Sequence, residues 1–123
     1  MLTYEDALDY CNSLNASLFE PRNGSDVHYL YEFYIEHMIV WVGITDRFEN
    51  GKYVYETTQL EVDMEIDWFP MQPDNSTEEK FVTLQLPEMK FADRDSEFKA
   101  MGLCQKFTWF LGQMQVKYSQ NLS

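Results

Sequence analysis

Apolar positions along the first third of the chain recur at helical spacing. Thr3 followed three residues later by Asp6 marks a helix start, a hydroxyl cap with an acid at the third position. Tyr4, Ala7, Cys11 and Leu14 then repeat on one face. Gly24-Ser25 opens a second helix, with Val27, Leu30, Tyr31 and Tyr34 as its inner face. The pattern then changes. Ile39 to Thr45 is rich in β-branched residues and reads as a buried strand. Asn50-Gly51 is a turn signal, followed by Tyr53 and Tyr55 in alternation. Between Thr57 and Glu79 there is little periodicity, much acid and two prolines, as in a long loop. Phe81 to Leu86 and Ala100 to Lys106 read as further strands. Beyond them Phe107, Trp109 and Leu111 alternate, Gly112 offers a turn, and Met114, Val116 and Tyr118 alternate again, which is a hairpin pattern.

Two helices followed by hairpins and a long loop place the chain in the α+β class, and 123 residues suit one domain with a real core. Hydrophobic residues make up 45% of the chain and aromatics 16%, which argues against disorder. The formal net charge of −12 repels phosphate backbones, so no nucleic-acid partner is expected. The same charge attracts cations. No apolar run reaches the ~20 residues of a membrane span. Met1-Leu2-Thr3 leads straight into the first helix without the features of a signal peptide, so the sequence reads as a mature segment. Asn15, Asn23, Asn75 and Asn121 each begin an Asn-X-Ser/Thr glycan acceptor, which points to an exported, extracellular protein. Cys11 and Cys104 show no zinc-ligand spacing, and His28 and His37 read as ordinary helix-surface residues. No nucleophile–base pair can be named, so an enzyme is not expected.

The stretch Trp68-Phe69-Pro70-Met71-Gln72-Pro73-Asp74-Asn75, with Glu79 and then Phe91-Ala92-Asp93, sets oxygen donors around one loop. Oxygen-only donors suit a hard cation such as calcium. Together with Trp41-Val42-Gly43-Ile44, Tyr4/Ala7/Cys11 on the first helix and Met101-Gly102-Leu103-Cys104-Gln105 near the end, this stretch resembles the C-type lectin-like domain. The resemblance implies that fold, with two helices flanking small antiparallel sheets and a long loop region. It implies a domain over residues 1–106, with 107–123 as an extension. It also implies a Cys11–Cys104 disulfide, with the family's second bridge replaced by Phe81 and Ser96. The strand that precedes the first helix in the family has no counterpart here, and the tail hairpin is expected to complete the sheet or to pair in a homodimer.

By position, the resemblance makes Gln72, Asp74, Glu79 and Asp93 the ligands of calcium and of a sugar bridged by it. The Gln72–Pro73 bond is expected to be cis. Gln-Pro-Asp leans towards galactose-type ligands. Ala92 stands where the family carries an Asn donor, so calcium affinity should be weak. An auxiliary position falls on Asp46, Asn50, Asn75 and Glu79, with weak or no occupancy. No aromatic follows Asp74, and the acceptor at Asn75 would crowd the pocket. The expectation is therefore a weak, calcium-dependent, galactose-leaning glycan binder. The alternative is a lectin-like domain that binds a protein or non-sugar ligand without calcium.

Overall fold

The computed structural model describes residues 1–31, 37–73, 79–110 and 113–120, with backbone alone at 31, 79, 108–110 and 113–120. Helix α1 (Tyr4–Ser13) begins as expected, the Thr3 hydroxyl accepting from the Asp6 N–H at 3.2 Å. Tyr4, Ala7 and Cys11 are buried, whereas Leu14 is the exposed C-cap, so the apolar stripe ends one turn earlier than its spacing suggests. Strand β1 (Ser17–Leu18) follows, then helix α2 (Gly24–Tyr31). Asn23 Oδ1 accepts from Asp26 N–H and Asp26 Oδ2 accepts from Arg22 N–H, a reciprocal pair that satisfies donors at the helix start. Val27 and Leu30 face the core. Tyr34 lies outside the described residues.

The remaining strands are β2 (Met38–Thr45), β3 (Val54–Tyr55), β4 (Glu79–Leu86), β5 (Lys90–Asp95), β6 (Met101–Phe110) and β7 (Gln113–Gln120). They form one sheet in the order β1-β6-β2-β4-β5, with β3 on β2 and β7 on β6. β2 and β6 are parallel and the other pairings antiparallel. Alternation along β2 sends its side chains to opposite faces. Val40, Val42 and Ile44 pack with α2, β4 and β5 side chains, while Trp41 packs with Tyr4, Cys11 and Cys104. Gly43 is required here, because a Cβ would stand 2.8 Å from Glu20 Cγ and 3.3 Å from the Leu18 carbonyl oxygen.

Cys11 and Cys104 are bonded across a sequence separation of 93, tying α1 to β6. Phe81 stacks on Tyr4 at 4.3 Å, so it fills apolar volume beside that bridge, and Ser96 is exposed. The tail does form a hairpin: Leu103 to Phe110 pair with Gln113 to Gln120 in continuous antiparallel register, Trp109 opposite Met114. Gly112, the expected turn, lies outside the described residues.

Tyr53 and Tyr55 both pack into the core, although the strand there, β3, is only two residues, Val54–Tyr55, both buried. One expectation needs correction. The long loop is not aperiodic. Val62, Met64, Ile66 and Trp68 are half-buried against the core, with exposed Glu61, Asp63, Glu65 and Asp67 between them. The period is 2, carried by Glu-Val-Asp-Met-Glu-Ile-Asp-Trp, and the chain there is extended over the core with only isolated bridges at its ends.

Candidate functional site

The end of the extended segment docks on β5. Phe91 N–H donates to the Asp67 carbonyl and Phe69 N–H to the Phe91 carbonyl, both at 2.9 Å, and Trp68 bridges Phe91 in parallel. Trp68 leans on Tyr53 at 5.2 Å and on Phe91 at 6.5 Å. These contacts anchor a tight turn in which Gln72 N–H donates to the Phe69 carbonyl at 2.9 Å. Gln72–Pro73 is cis, as the family likeness implied.

The turn brings Gln72 to Asp93. Gln72 Oε1 accepts from the Asp93 N–H at 3.4 Å. The Asp93 side chain is 1% exposed and lies 3.5 Å from the Tyr53 hydroxyl, which donates to Oδ2. Two of the expected ligand residues therefore meet across the loop–β5 seam, through the Gln72 amide oxygen and the Asp93 backbone N–H. Asp74, Asn75 and the side chain of Glu79 lie outside the described residues, although the Glu79 backbone pairs with Asp95. Ala92 is buried at 3% exposure and contributes only its carbonyl, which accepts from the Thr83 hydroxyl. The donors present are hard oxygens and fit calcium in kind. Among the described residues no three His, Cys, Asp or Glu side chains group as a metal site.

At the auxiliary position, Asp46 is buried. Its Oδ2 accepts from Gly51 N–H at 2.9 Å, and its Oδ1 has no hydrogen-bond partner among the described residues. Asn50 Oδ1 accepts from the Lys80 ammonium at 3.3 Å. A protein cation thus already meets one of the oxygens that an auxiliary metal would need.

Sequence reasoning missed a second polar region, between α1 and the loops after β2 and β3. Glu56 Oε1 accepts from the Tyr4 hydroxyl at 2.9 Å and from Arg47 Nε at 3.1 Å, and Oε2 pairs with Arg47 at 2.7 Å. Glu20, 4% exposed, accepts from the Thr57 N–H, the Thr57 hydroxyl and Arg22. Burial pushes the Glu20 carboxyl above the usual range, against the opposing pull of the Thr57 and Arg22 donors. Burial and the neighbouring Glu56 likewise raise the Tyr4 phenol. A cavity of about 310 Å³ opens over Glu20, Glu56, Arg47 and Asn12. The only sequence signal for this cluster is a charged residue inside an apolar run, Leu18-Phe19-Glu20-Pro21. His37 also departs from expectation: it lies outside α2, within 3.4 Å of Glu88 and 3.1 Å of the Leu86 carbonyl. Asn15 and Asn23 are both exposed, as glycan acceptors must be.

The chain belongs to the family described as Lectin C-type domain, whose profile matches residues 1–106. It is 26% identical over 113 residues to E-selectin of Bos taurus, covering 86% of this chain and 23% of that protein. It therefore spans about a quarter of that relative. Among solved structures it resembles the mouse scavenger receptor C-type lectin carbohydrate-recognition domain, with a TM-score of 0.75 at 19% identity, covering 85% of this chain and 82% of that one. It also resembles a calcium-independent type II antifreeze protein, with a TM-score of 0.71 at 18% identity and coverages of 84% and 77%. These likenesses show the C-type lectin fold. No helix among the described residues is long and apolar enough to cross a membrane.

Proposed function

We propose that this chain is an extracellular, glycosylated binding module, not an enzyme, that takes calcium weakly at Gln72, Asp74, Glu79 and Asp93 and holds a galactose-type glycan there. The observation that carries this reading is the contact of Gln72 with Asp93, in which the Gln72 amide oxygen accepts from the Asp93 backbone N–H and so brings two expected ligand residues together at the seam where Gln-Pro-Asp emerges. The likeness to a carbohydrate-recognition domain supports it. With Ala92 giving no side-chain oxygen, calcium should bind in the range of about 10⁻⁴–10⁻³ M. Titrating calcium and then methyl β-galactoside by calorimetry tests it. Heat from both steps is expected, and no heat from calcium would end the calcium-dependent reading.

Calcium-independent binding of a protein or other non-sugar ligand is the second reading. It is favoured by Ala92 and by the Lys80 ammonium at the auxiliary position, and a calcium-independent protein shares the fold. As to assembly, β7 offers an outer edge on which no described strand pairs, and every Asp and Glu of this acidic chain lies at or before Glu97. Two copies repel least at that acid-free hairpin, so it is our proposed dimer contact. Deleting residues 107–123 should abolish a dimer seen by sedimentation. A wild-type chain that sediments as a monomer would refute it.

A further inference from the structure

Met71 sits at the tip of the turn immediately before Gln72, and it is 93% exposed. Its φ is +68°, in the left-handed region that side chains other than Gly and Asn avoid. Two costs therefore meet at one residue: an apolar side chain held in water, and a strained backbone. The other left-handed positions among the described residues do not combine them. Asn15 is the residue type that tolerates this geometry, and Gln59 is polar. Met89 packs against the core, so burial offsets its strain. Gly or Asn at position 71 would make the same turn without either cost. The turn is also firmly seated, through Gln72 N–H to Phe69 and Phe69 N–H to Phe91. Strained residues over-determined by their surroundings gather where ligands are clamped.

We infer that Met71 is a ligand-contact residue, its thioether chain lying on the apolar C–H face of the sugar that the Gln72–Asp93 seam holds. This rests on the galactose-type reading above and adds a specificity-determining residue to it. The residues after Asp74 are Asn75, Ser76, Thr77 and Glu78, so the sequence supplies no ring there for that face. Met71, one residue before Gln72, supplies exposed apolar surface next to the ligand amide. An unbranched, polarisable side chain adapts to the contours of a pyranose without needing a preformed pocket.

The test uses the full chain with calcium, methyl β-galactoside as the probe, and the variants Met71→Gly and Met71→Leu. Covering roughly 50 Å² of apolar surface corresponds to about a five- to tenfold change in Kd. Met71→Gly should weaken binding by that factor while its melting temperature holds or rises, because the strained backbone is relieved. Met71→Leu, which restores apolar surface, should stay within about twofold of wild type. A glycine variant that binds with the wild-type Kd overturns this inference and leaves the galactose reading standing. A glycine variant that melts lower also overturns it, by showing that Met71 packs on its own domain. A wild-type chain that binds no methyl β-galactoside refutes the galactose reading, and the inference with it.

Discussion

The two faces of β2 open onto two differently built halves of the domain. On one, Trp41 meets Tyr4 and Phe98 edge to face, its Nε1–H donates to the Leu2 carbonyl at 2.7 Å, and Cys11–Cys104 locks α1 to β6. On the other, Val40, Val42 and Ile44 are covered by α2 and by the extended row of Val62, Met64, Ile66 and Trp68, which stay half-exposed and pair with no continuous ladder. The first half is closed by full burial and a covalent bond. The second has no covalent tie: half-buried side chains and a few backbone hydrogen bonds, such as Val62 N–H to the Tyr53 carbonyl and Phe91 N–H to the Asp67 carbonyl, close it, and it is the half that presents Gln72 and Asp93. Local opening costs least where buried contacts and ladder bonds are fewest, which on this side is the row from Val62 to Trp68, so the ligand seam borders the most easily opened segment of that half.

Breaking the closed half should have the largest effect. Replacing both Cys11 and Cys104 with Ser frees a loop of 93 residues, which should lower stability by about 4–5 kcal/mol in the chain-entropy model. Urea unfolding of oxidised wild type against the double variant measures it. A loss below about 2 kcal/mol would mean that the aromatic packing of Tyr4, Trp41 and Phe81 holds this half by itself.

Ala92→Asn probes the seam. Ala92 is buried in β5 between Phe91 and Asp93, so an amide placed there without a partner should cost about 1–3 kcal/mol. Calcium should restore much of this and bind more tightly than to wild type, since a neutral oxygen donor is regained. Melting with and without calcium gives both effects. An unchanged calcium affinity in a folded variant would show that the seam does not coordinate the ion.

What could be read in the sequence divides along the same line. Tyr4, Ala7, Cys11, Trp41, Phe81 and Cys104 carry large apolar volumes or covalent chemistry at element-specific spacing, and each stands where expected. The Gln72–Asp93 contact and the tail hairpin were also legible, the first through the family likeness and the second through alternation about Gly112. The row from Glu61 to Trp68 was not, because its regular acids read as loop polarity when they are the outer half of a period-2 pattern. Glu20 was illegible for another reason. Nothing local in Phe19-Glu20-Pro21 foretells that Thr57, 37 residues on, supplies its donors. Met71 likewise shows its unusual exposure only once the turn is built.

Glu20 ties the segment after β1 to the loop after β3 through Thr57, and its pH response follows from its raised pKa. A carboxyl whose folded pKa lies above the unfolded value of 4.5 binds its proton more tightly when folded. Its contribution is fully present below pH 4.5 and is lost as pH rises through the folded pKa. Glu20→Gln keeps the shape but offers one acceptor oxygen instead of two, at a cost of about 1 kcal/mol in acid. The gap between wild type and variant should therefore narrow as pH rises from 4.5. Parallel melts across that range measure it, and a gap that widened would contradict burial as the dominant influence on Glu20.

The smallest effect is expected at Lys90, whose ammonium meets both Asp67 oxygens at 2.8 and 2.9 Å where the extended row reaches β5. The side chains are 38% and 62% exposed, so water and salt screen the pair, and such contacts contribute about 0–1 kcal/mol. If the row is held by its apolar side, Lys90→Ala should shift stability by less than about 0.5 kcal/mol. Ile66→Ala, which removes half-buried surface one position away from Asp67, should cost more than that, about 1 kcal/mol. Running both in low and in 0.5 M salt separates the two causes, since only an ion pair weakens with ionic strength. The reverse ranking, with a Lys90→Ala loss that disappears in salt, would mean that charge rather than apolar contact seats the loop beneath Gln72.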